Sequence, residues 1–242
     1  MQWFDQYEIR ARIAPTVVVL SPLIFALFFV LLVVSESVAA SLGGVAGMAL
    51  LMTYALSFLT RYLGKRLERG LWARWDGAPT TRMLRWRDPT LDNETKRQLH
   101  ARAEQVSGIT LFSREEEAVD PTEADEQISQ SFVQVRATIR REDPEGLWSK
   151  HNAEYGFNRN LLGGRWLWLA FSVVGTLVCA AVWYFYDKDP LLVIGFVLDV
   201  VSILLTYAFG WHLLERFARK AADRYAESVL GSFLAGTVRE EG

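Results

Sequence analysis

Residues 191–211 read LLVIGFVLDVVSILLTYAFGW, and this stretch decides the fold class. It is as long as a helix needs to be to cross the hydrocarbon core of a bilayer, about 20 apolar residues. Its single charged residue is Asp199. A surface helix of a soluble protein would show a polar face along its length, and this stretch has no such face. It therefore predicts a transmembrane helix.

Three more stretches have the same character, and none of them contains a charged residue. With 191–211 they predict an all-α membrane protein with four transmembrane helices in two hairpins, a helical cytoplasmic insert and a cytoplasmic C-terminal helix. The four predicted helices are 13–34, 38–60, 166–186 and 191–211. The predicted segments are an arm at 1–12, hairpins at 13–60 and 165–212, the insert at 61–164 and the C-terminal helix at 213–242.

The distribution of positive charge predicts the orientation, because lysine and arginine close to membrane helices mark the cytoplasmic side. The link between the first two predicted helices has no Lys or Arg, and the link DKDP at 187–190 has one lysine between two aspartates. The segments that follow the second and fourth helices are rich in both. We therefore expect both termini and the insert on the cytoplasmic side of the membrane.

The insert is electrically polarised although it is neutral overall. Residues 61–102 carry a net charge of +6, and residues 103–164 carry a net charge of −6. The basic half could lie against anionic lipid headgroups, with the acidic half farther from the membrane. Folding of one half onto the other explains the pattern equally well.

The clearest helix of the insert is PTEADEQISQSFVQVRATIRR, at 121–141. Thr122 is its predicted N-cap, and its apolar face must bury against other insert helices or against the same helix of another subunit. That face consists of Ile128, Phe132, Val135 and Ile139. The tail that begins at 213 also predicts an amphipathic helix, which packs on the insert or forms an oligomer contact.

Asp199, Ser202 and Thr206 are the candidate pore-lining or intramembrane polar residues. An ionised carboxylate within a membrane helix costs several kcal/mol unless it meets water or a partner. One interpretation is a cation-attracting ring in an oligomeric pore, or a proton site. The alternative is a protonated Asp199 that makes one hydrogen bond between helices.

The second candidate site is WDGAPTTRMLRWRDPT, at 75–90, which follows the second predicted membrane helix. Arginine guanidinium groups suit phosphate, and a tryptophan ring can stack on a base. The same residues would also suit a membrane-surface anchor. The candidate ligand-binding or headgroup-binding residues are Arg74, Arg82, Arg85, Arg87 and Trp86.

Two weaker patterns concern packing and a polar belt. Gly43 and Gly47 form a G-x-x-x-G pair, which allows two membrane helices to approach closely. The stretch HNAEYGFNRNLLGGRW at 151–166 predicts either a juxtamembrane polar belt or a helix-entry segment with snorkelling Arg159 and Arg165.

The sequence contains no pattern typical of catalysis. A P-loop, G-x-G-x-x-G, H-E-x-x-H and G-x-S-x-G are all absent from it. His100 and Glu104 stand four residues apart on one helix, which is more typical of a surface contact than of a metal site. We therefore expect no enzyme activity, no catalytic residue, no metal and no cofactor.

Two stretches carry a resemblance to known proteins. The patterns W-x-G-x-P-T-T-x-x-L-R-x-R-D at 75–88 and Y-G-F-x-R-N-L at 155–161 resemble an uncharacterised family of bacterial four-helix membrane proteins. The two-plus-two arrangement of helices is also similar to that of small membrane effectors of anti-phage defence systems. The second resemblance implies a protein of the bacterial inner (plasma) membrane that perturbs this membrane when a nucleotide signal changes.

Two functions are compatible with these patterns. The first is an oligomeric inner-membrane pore or ion channel, gated by a nucleotide, an oligonucleotide or a lipid at the insert, and a membrane effector of anti-phage defence if the resemblance holds. The second is a non-conducting membrane scaffold or adaptor that docks a soluble protein partner. The expected partners are the lipid bilayer, further copies of the chain and an anionic nucleotide or nucleic-acid regulator.

Overall fold

The computed structural model describes residues 6–35 and 38–240, and every regular element within them is a helix. The short N-terminal elements are α1 (Gln6–Glu8) and a π-helix (Ile9–Ile13). The remaining helices, in chain order, are α2 (Ala14–Val34), α3 (Val38–Arg74), α4 (Pro79–Leu84), α5 (Asn93–Ser107), α6 (Arg114–Val119), α7 (Pro121–Glu142), α8 (Leu147–Phe185), α9 (Pro190–His212) and α10 (Leu214–Glu240).

Four of the described helices are long and apolar enough to cross a membrane: α2, α3, α8 and α9. Each covers one of the four predicted stretches to within one residue, so the all-α fold class with four membrane helices is confirmed. The start of α9 has a local cause. The Asp189 side chain accepts the Leu191 N–H at 2.8 Å, and Pro190 occupies the first helical turn, where its missing N–H costs nothing.

Two of the membrane helices extend well beyond their apolar stretches. Helix α3 continues to Arg74, and α8 begins at Leu147, so the juxtamembrane stretch 151–166 belongs to α8 itself. The chain divides into two compact units, Met1–Glu68 with Ala153–Ala218 and Arg69–Asn152 with Arg219–Gly242. We call them the membrane unit and the extramembrane unit. Their division points fall inside α3, α8 and α10, and the predicted segment bounds at residues 61, 165 and 213 stay predictions.

The extramembrane unit has a hydrophobic core of its own, to which α4, α5, α7 and α10 contribute. All four apolar residues predicted for the inner face of α7 are buried in it. Helix α10 adds the other wall of this core with Ala226, Val229, Leu230 and Phe233. Both amphipathic helices therefore pack on the rest of the insert, which was one of the two alternatives for each.

The N-cap of α7 lies two residues before the predicted one. The side chain of Asp120, and not that of Thr122, accepts the N–H groups of Thr122 and Glu123. Pro121 then fills the first position of the helix. Because proline fixes φ at a helical value and needs no partner for its nitrogen, the pair Asp120–Pro121 starts the helix earlier than a threonine cap would.

Candidate functional site

Asp199 lies halfway along α9 and is fully buried within the membrane unit. Neither of its carboxylate oxygens has a hydrogen-bond partner. The carboxylate rests against Gly175 of α8, and a side chain at that position would collide with it. The bare glycine backbone is therefore what makes room for a carboxylate between the two helices.

Hydroxyl groups lie beside Asp199 on the same two helix faces, and they are bonded to one another. The hydroxyls of Ser172 and Ser202 share a hydrogen bond of 2.9 Å. The indole N–H of Trp168 donates to the Ser202 hydroxyl at 2.9 Å. The Thr206 hydroxyl donates to the Ser202 carbonyl, one turn earlier. These polar groups satisfy each other and leave the carboxylate without a donor.

A regular spacing places these residues along one line of contact, which we call the α8–α9 seam. Positions three, four or seven apart lie on one face of a helix. The seam comprises Trp168, Ser172, Gly175 and Cys179 of α8, with Gly195, Asp199, Ser202 and Thr206 of α9. One end of the seam is closed, because Gly195 packs against the Cys179 sulfur and the Phe29 ring of α2.

The three intramembrane residues singled out in the sequence thus lie together on one face of α9. Asp199 and Thr206 are fully buried inside a single chain and Ser202 is partly buried. The next residue, Tyr207, is 65% exposed and does not lie in this contact. A role in lining a pore stays a prediction. In this conformation the residues line a closed contact between two helices.

The arginine stretch at 75–90 is folded into the extramembrane unit by its own acidic residues. Arg85 is only 4% exposed, and its guanidinium makes two parallel bonds to the Asp125 carboxylate, at 2.6 and 2.7 Å. The same group also binds Asp76. Burial by itself lowers the pKa of Arg85, but the bond and charge of Asp125, with those of Asp76, raise it above its ordinary value.

The neighbouring residues of the stretch are paired in the same way. Arg82 donates to Asp223 of α10 at 2.8 Å, and Arg87 donates to Glu117 of α6 at 3.0 Å. The Trp86 indole N–H donates to the Phe112 carbonyl. Of the two explanations for the polarised charge, the basic half thus folds onto the acidic half. Arg74 is the last residue of α3 and is exposed.

Two further basic side chains, Lys96 and His100, are buried in the same unit. The sequence did not indicate a structural role for either of them. The Lys96 ammonium donates to the carbonyls of Arg85 and Asp88, and burial lowers its pKa. His100 donates to the Leu84 carbonyl at 2.8 Å, and its ring packs at a tilt against the Trp86 ring. His100 is therefore a buried structural group, and not the surface residue that its spacing from Glu104 suggested.

The juxtamembrane stretch 151–166 is neither a belt nor a simple helix entry, because it holds the crossing of α8 with α3 and the N-terminal helices. A side chain at Gly163 would collide with the backbone of Gly64, so the two helix backbones touch there. The Asn160 amide donates to the Ala11 carbonyl of the π-helix at 2.6 Å. Arg159 donates to Glu68 at 2.8 Å. The glycines of α8 were the sequence signal that could have revealed this crossing.

The Gly43 and Gly47 pair has a different environment from Gly163. A Cβ atom built at either position would have no other atom within 4 Å. The close approach that the pair predicts is therefore not made by any residue in the described parts of the chain, and among these residues that small-residue face of α3 is open.

Comparison with known proteins gave no match to a family model, to a curated protein or to a solved structure. The chain is a multi-pass membrane protein by its own helices. The features that bear on its function are the α8–α9 seam and the extramembrane unit.

Proposed function

We propose that this protein is an ion pathway of the bacterial inner membrane, assembled from several copies, with Asp199 as its intramembrane ion site. One observation carries the proposal: a fully buried carboxylate within a membrane helix has no hydrogen-bond partner. Such a group is expensive, and intramembrane carboxylates of this kind mark ion or proton pathways. A purely structural residue at this position could be apolar at no cost.

The conformation described corresponds to a closed state of such a pathway. Asp199 and Thr206 have no exposed surface, and Gly195 is capped by Cys179 and Phe29. An ion reaches Asp199 only when α8 and α9 move apart along the seam. The bonds that such a movement breaks are the Ser172–Ser202 and Trp168–Ser202 hydrogen bonds.

Assembly from several copies is supported by the open glycine face of α3. Gly43 and Gly47 allow a second helix to approach closely, and no part of the described chain occupies that face. Four helices per chain are also few for a transporter that works as a single subunit. We therefore place the contact between copies at this face.

An anionic regulator and a role in anti-phage defence stay predictions. Arg82, Arg85 and Arg87 already hold carboxylates of the extramembrane unit. A phosphate ligand would have to displace these carboxylates. Arg87 is the most accessible of the three, with 42% of its side chain exposed, and it is the position where such an exchange would begin.

The test is ion flux through purified protein in liposomes, measured with a potassium-sensitive dye and with a pH-sensitive dye. We expect flux in the wild type to fall by at least about tenfold in Asp199→Asn, since each 1.4 kcal/mol added to a barrier slows passage by about that factor. Asp187→Asn is the matched control, because Asp187 lies exposed in the link before α9. Equal flux in the two variants would remove Asp199 from the pathway.

A second candidate function, a scaffold that docks a soluble partner, is favoured by the independence of the extramembrane unit. This unit has its own core, and it exposes isolated apolar side chains at Val119, Val133 and Leu147. A wild-type protein without flux that co-purifies with one soluble partner, and loses it on Val133→Asp, would support the scaffold instead.

A further inference from the structure

The surroundings of Asp199 restrict which ion it can bind. Ca²⁺ takes six to eight oxygen ligands, and Mg²⁺ requires a nearly regular octahedron of them. Asp199 supplies one carboxylate, and no group of three His, Cys, Asp or Glu side chains among the described residues could hold a metal. The nearby hydroxyls of Ser172 and Ser202 are bonded to each other. The seam is therefore a poor binding site for a metal cation.

A proton has none of these requirements. It binds to one carboxylate oxygen, needs no further ligand and removes the charge whose burial is costly. Burial of an ionised carboxylate without compensation costs so much that the group takes up a proton instead. The Gly175 backbone that faces the carboxyl offers room for a neutral group and no charge to stabilise an ionised one.

The neighbouring elements contribute no opposite charge. From α8, the titratable group that faces Asp199 is the thiol of Cys179, which packs beside Gly195. Helix α2, which packs along α9, consists only of uncharged side chains. Helix α2 and the seam residues of α8 therefore supply no lysine or arginine that could stabilise an ionised Asp199.

We propose that the α8–α9 seam binds a proton at Asp199, so that the ion handled by the pathway is H⁺; this inference rests on the proposed function. Asp199 is neutral in the closed conformation. When the seam opens to water, Asp199 releases its proton to one side of the membrane and takes up another from the opposite side before the seam closes.

Infrared spectroscopy of the full-length protein in lipid tests this directly. The wild type and Asp187→Asn should both show the C=O stretch of a neutral carboxyl, and Asp199→Asn should lack it. The band should lie at the high-wavenumber end of the carboxyl range, because the group has no hydrogen bond. It should move on transfer to D₂O, as the proton exchanges, and should not change when Na⁺ is replaced by K⁺ or Ca²⁺.

Three results would overturn the proposal: only ionised carboxylate bands at position 199, a band that changes with the metal cation, or a band that never shifts in D₂O. These readouts do not depend on transport. A neutral, exchanging carboxyl without any flux would reject the proposed function and retain proton binding. Potassium flux with an ionised Asp199 would support the proposed function and reject proton binding.

Discussion

The carboxylate of Asp199 lies directly against the backbone of Gly175, in the middle of the contact between α8 and α9. The absence of a side chain at Gly175 accounts for the position of the Asp199 side chain. The glycine leaves the space that the carboxylate fills, and the carboxylate has no polar partner of its own there. The pair is therefore coupled by volume and not by a hydrogen bond.

This coupling predicts the behaviour of a double variant. Gly175→Ala places a methyl group where the carboxylate lies, and overpacking of this kind costs about 1–3 kcal/mol. Asp199→Ala removes the obstructing group, so the double variant should be less destabilised than the sum of its two single variants. Thermal unfolding in detergent measures all four proteins. Simple additivity would show that the two residues do not compete for the same space.

The Arg85–Asp125 pair predicts a large loss of stability in the extramembrane unit. Arg85→Met leaves Asp125 and Asp76 without their shared cation, and breaking a buried ion pair costs about 3–5 kcal/mol. We expect the lower end, since the Asp125 side chain is 29% exposed and can meet water. Arg97→Met removes the same charge from an exposed pair and should cost less than about 1 kcal/mol. Denaturant titration compares the two variants, and similar losses would contradict the structural role of Arg85.

His100 predicts a pH dependence of stability. Burial lowers its pKa below the ordinary value of 6.5, although Glu104, Glu117 and the Leu84 carbonyl oppose that effect and Lys96 adds to it. The unfolded chain therefore binds a proton more readily, so stability is complete above pH 6.5 and is lost as the pH falls below it. His100→Gln should show a flatter pH profile between pH 7 and about 5. An unchanged slope would assign the effect to other groups.

The membrane helices and the inner face of α7 could be predicted because their signal is local. An uncharged stretch long enough to span lipid has one stable solution, and an apolar stripe every three or four residues must be buried somewhere. Neither signal depends on which part of the chain lies opposite. The sequence left two possible partners for the apolar face of α7, the insert or another subunit. In the structure this face packs against the insert helices and α10.

The arginine stretch and the helix crossing could not be predicted because their signals are not local. Arg85 is separated by 40 residues from Asp125. The sequence gives no reason to prefer Asp125 as its partner over the many other carboxylates of the insert. From the sequence alone, Gly64 indicates only a less stable position within the α3 helix, because glycine lowers helix propensity. Its actual role follows from Gly163, which lies far along the chain and shares the crossing.

That crossing predicts a second packing effect, separate from the seam. Gly163→Ala forces the backbones of α8 and α3 apart, because the added carbon meets the Gly64 nitrogen and not a movable side chain. The membrane unit should lose stability. Gly43→Ala is the matched control, since its added carbon meets open space. Equal midpoints in thermal unfolding would show that the backbones are not in contact.

The open face of α3 gives the last prediction, on assembly. We expect leucine to fit at positions 43 and 47 within a single chain, because apart from the helix's own backbone and adjacent residues no atom of the described residues lies within 4 Å of either Cβ position. It would block the close approach of a second helix, which depends on small residues. The Gly43→Leu, Gly47→Leu variant should therefore keep its helix content and melting temperature but run as a smaller particle in native mass spectrometry. Met48→Leu places leucine on another exposed face of α3 and should keep the wild-type mass. If the doubly substituted protein keeps that mass as well, the contact between copies lies elsewhere, and the pathway must be built without this face.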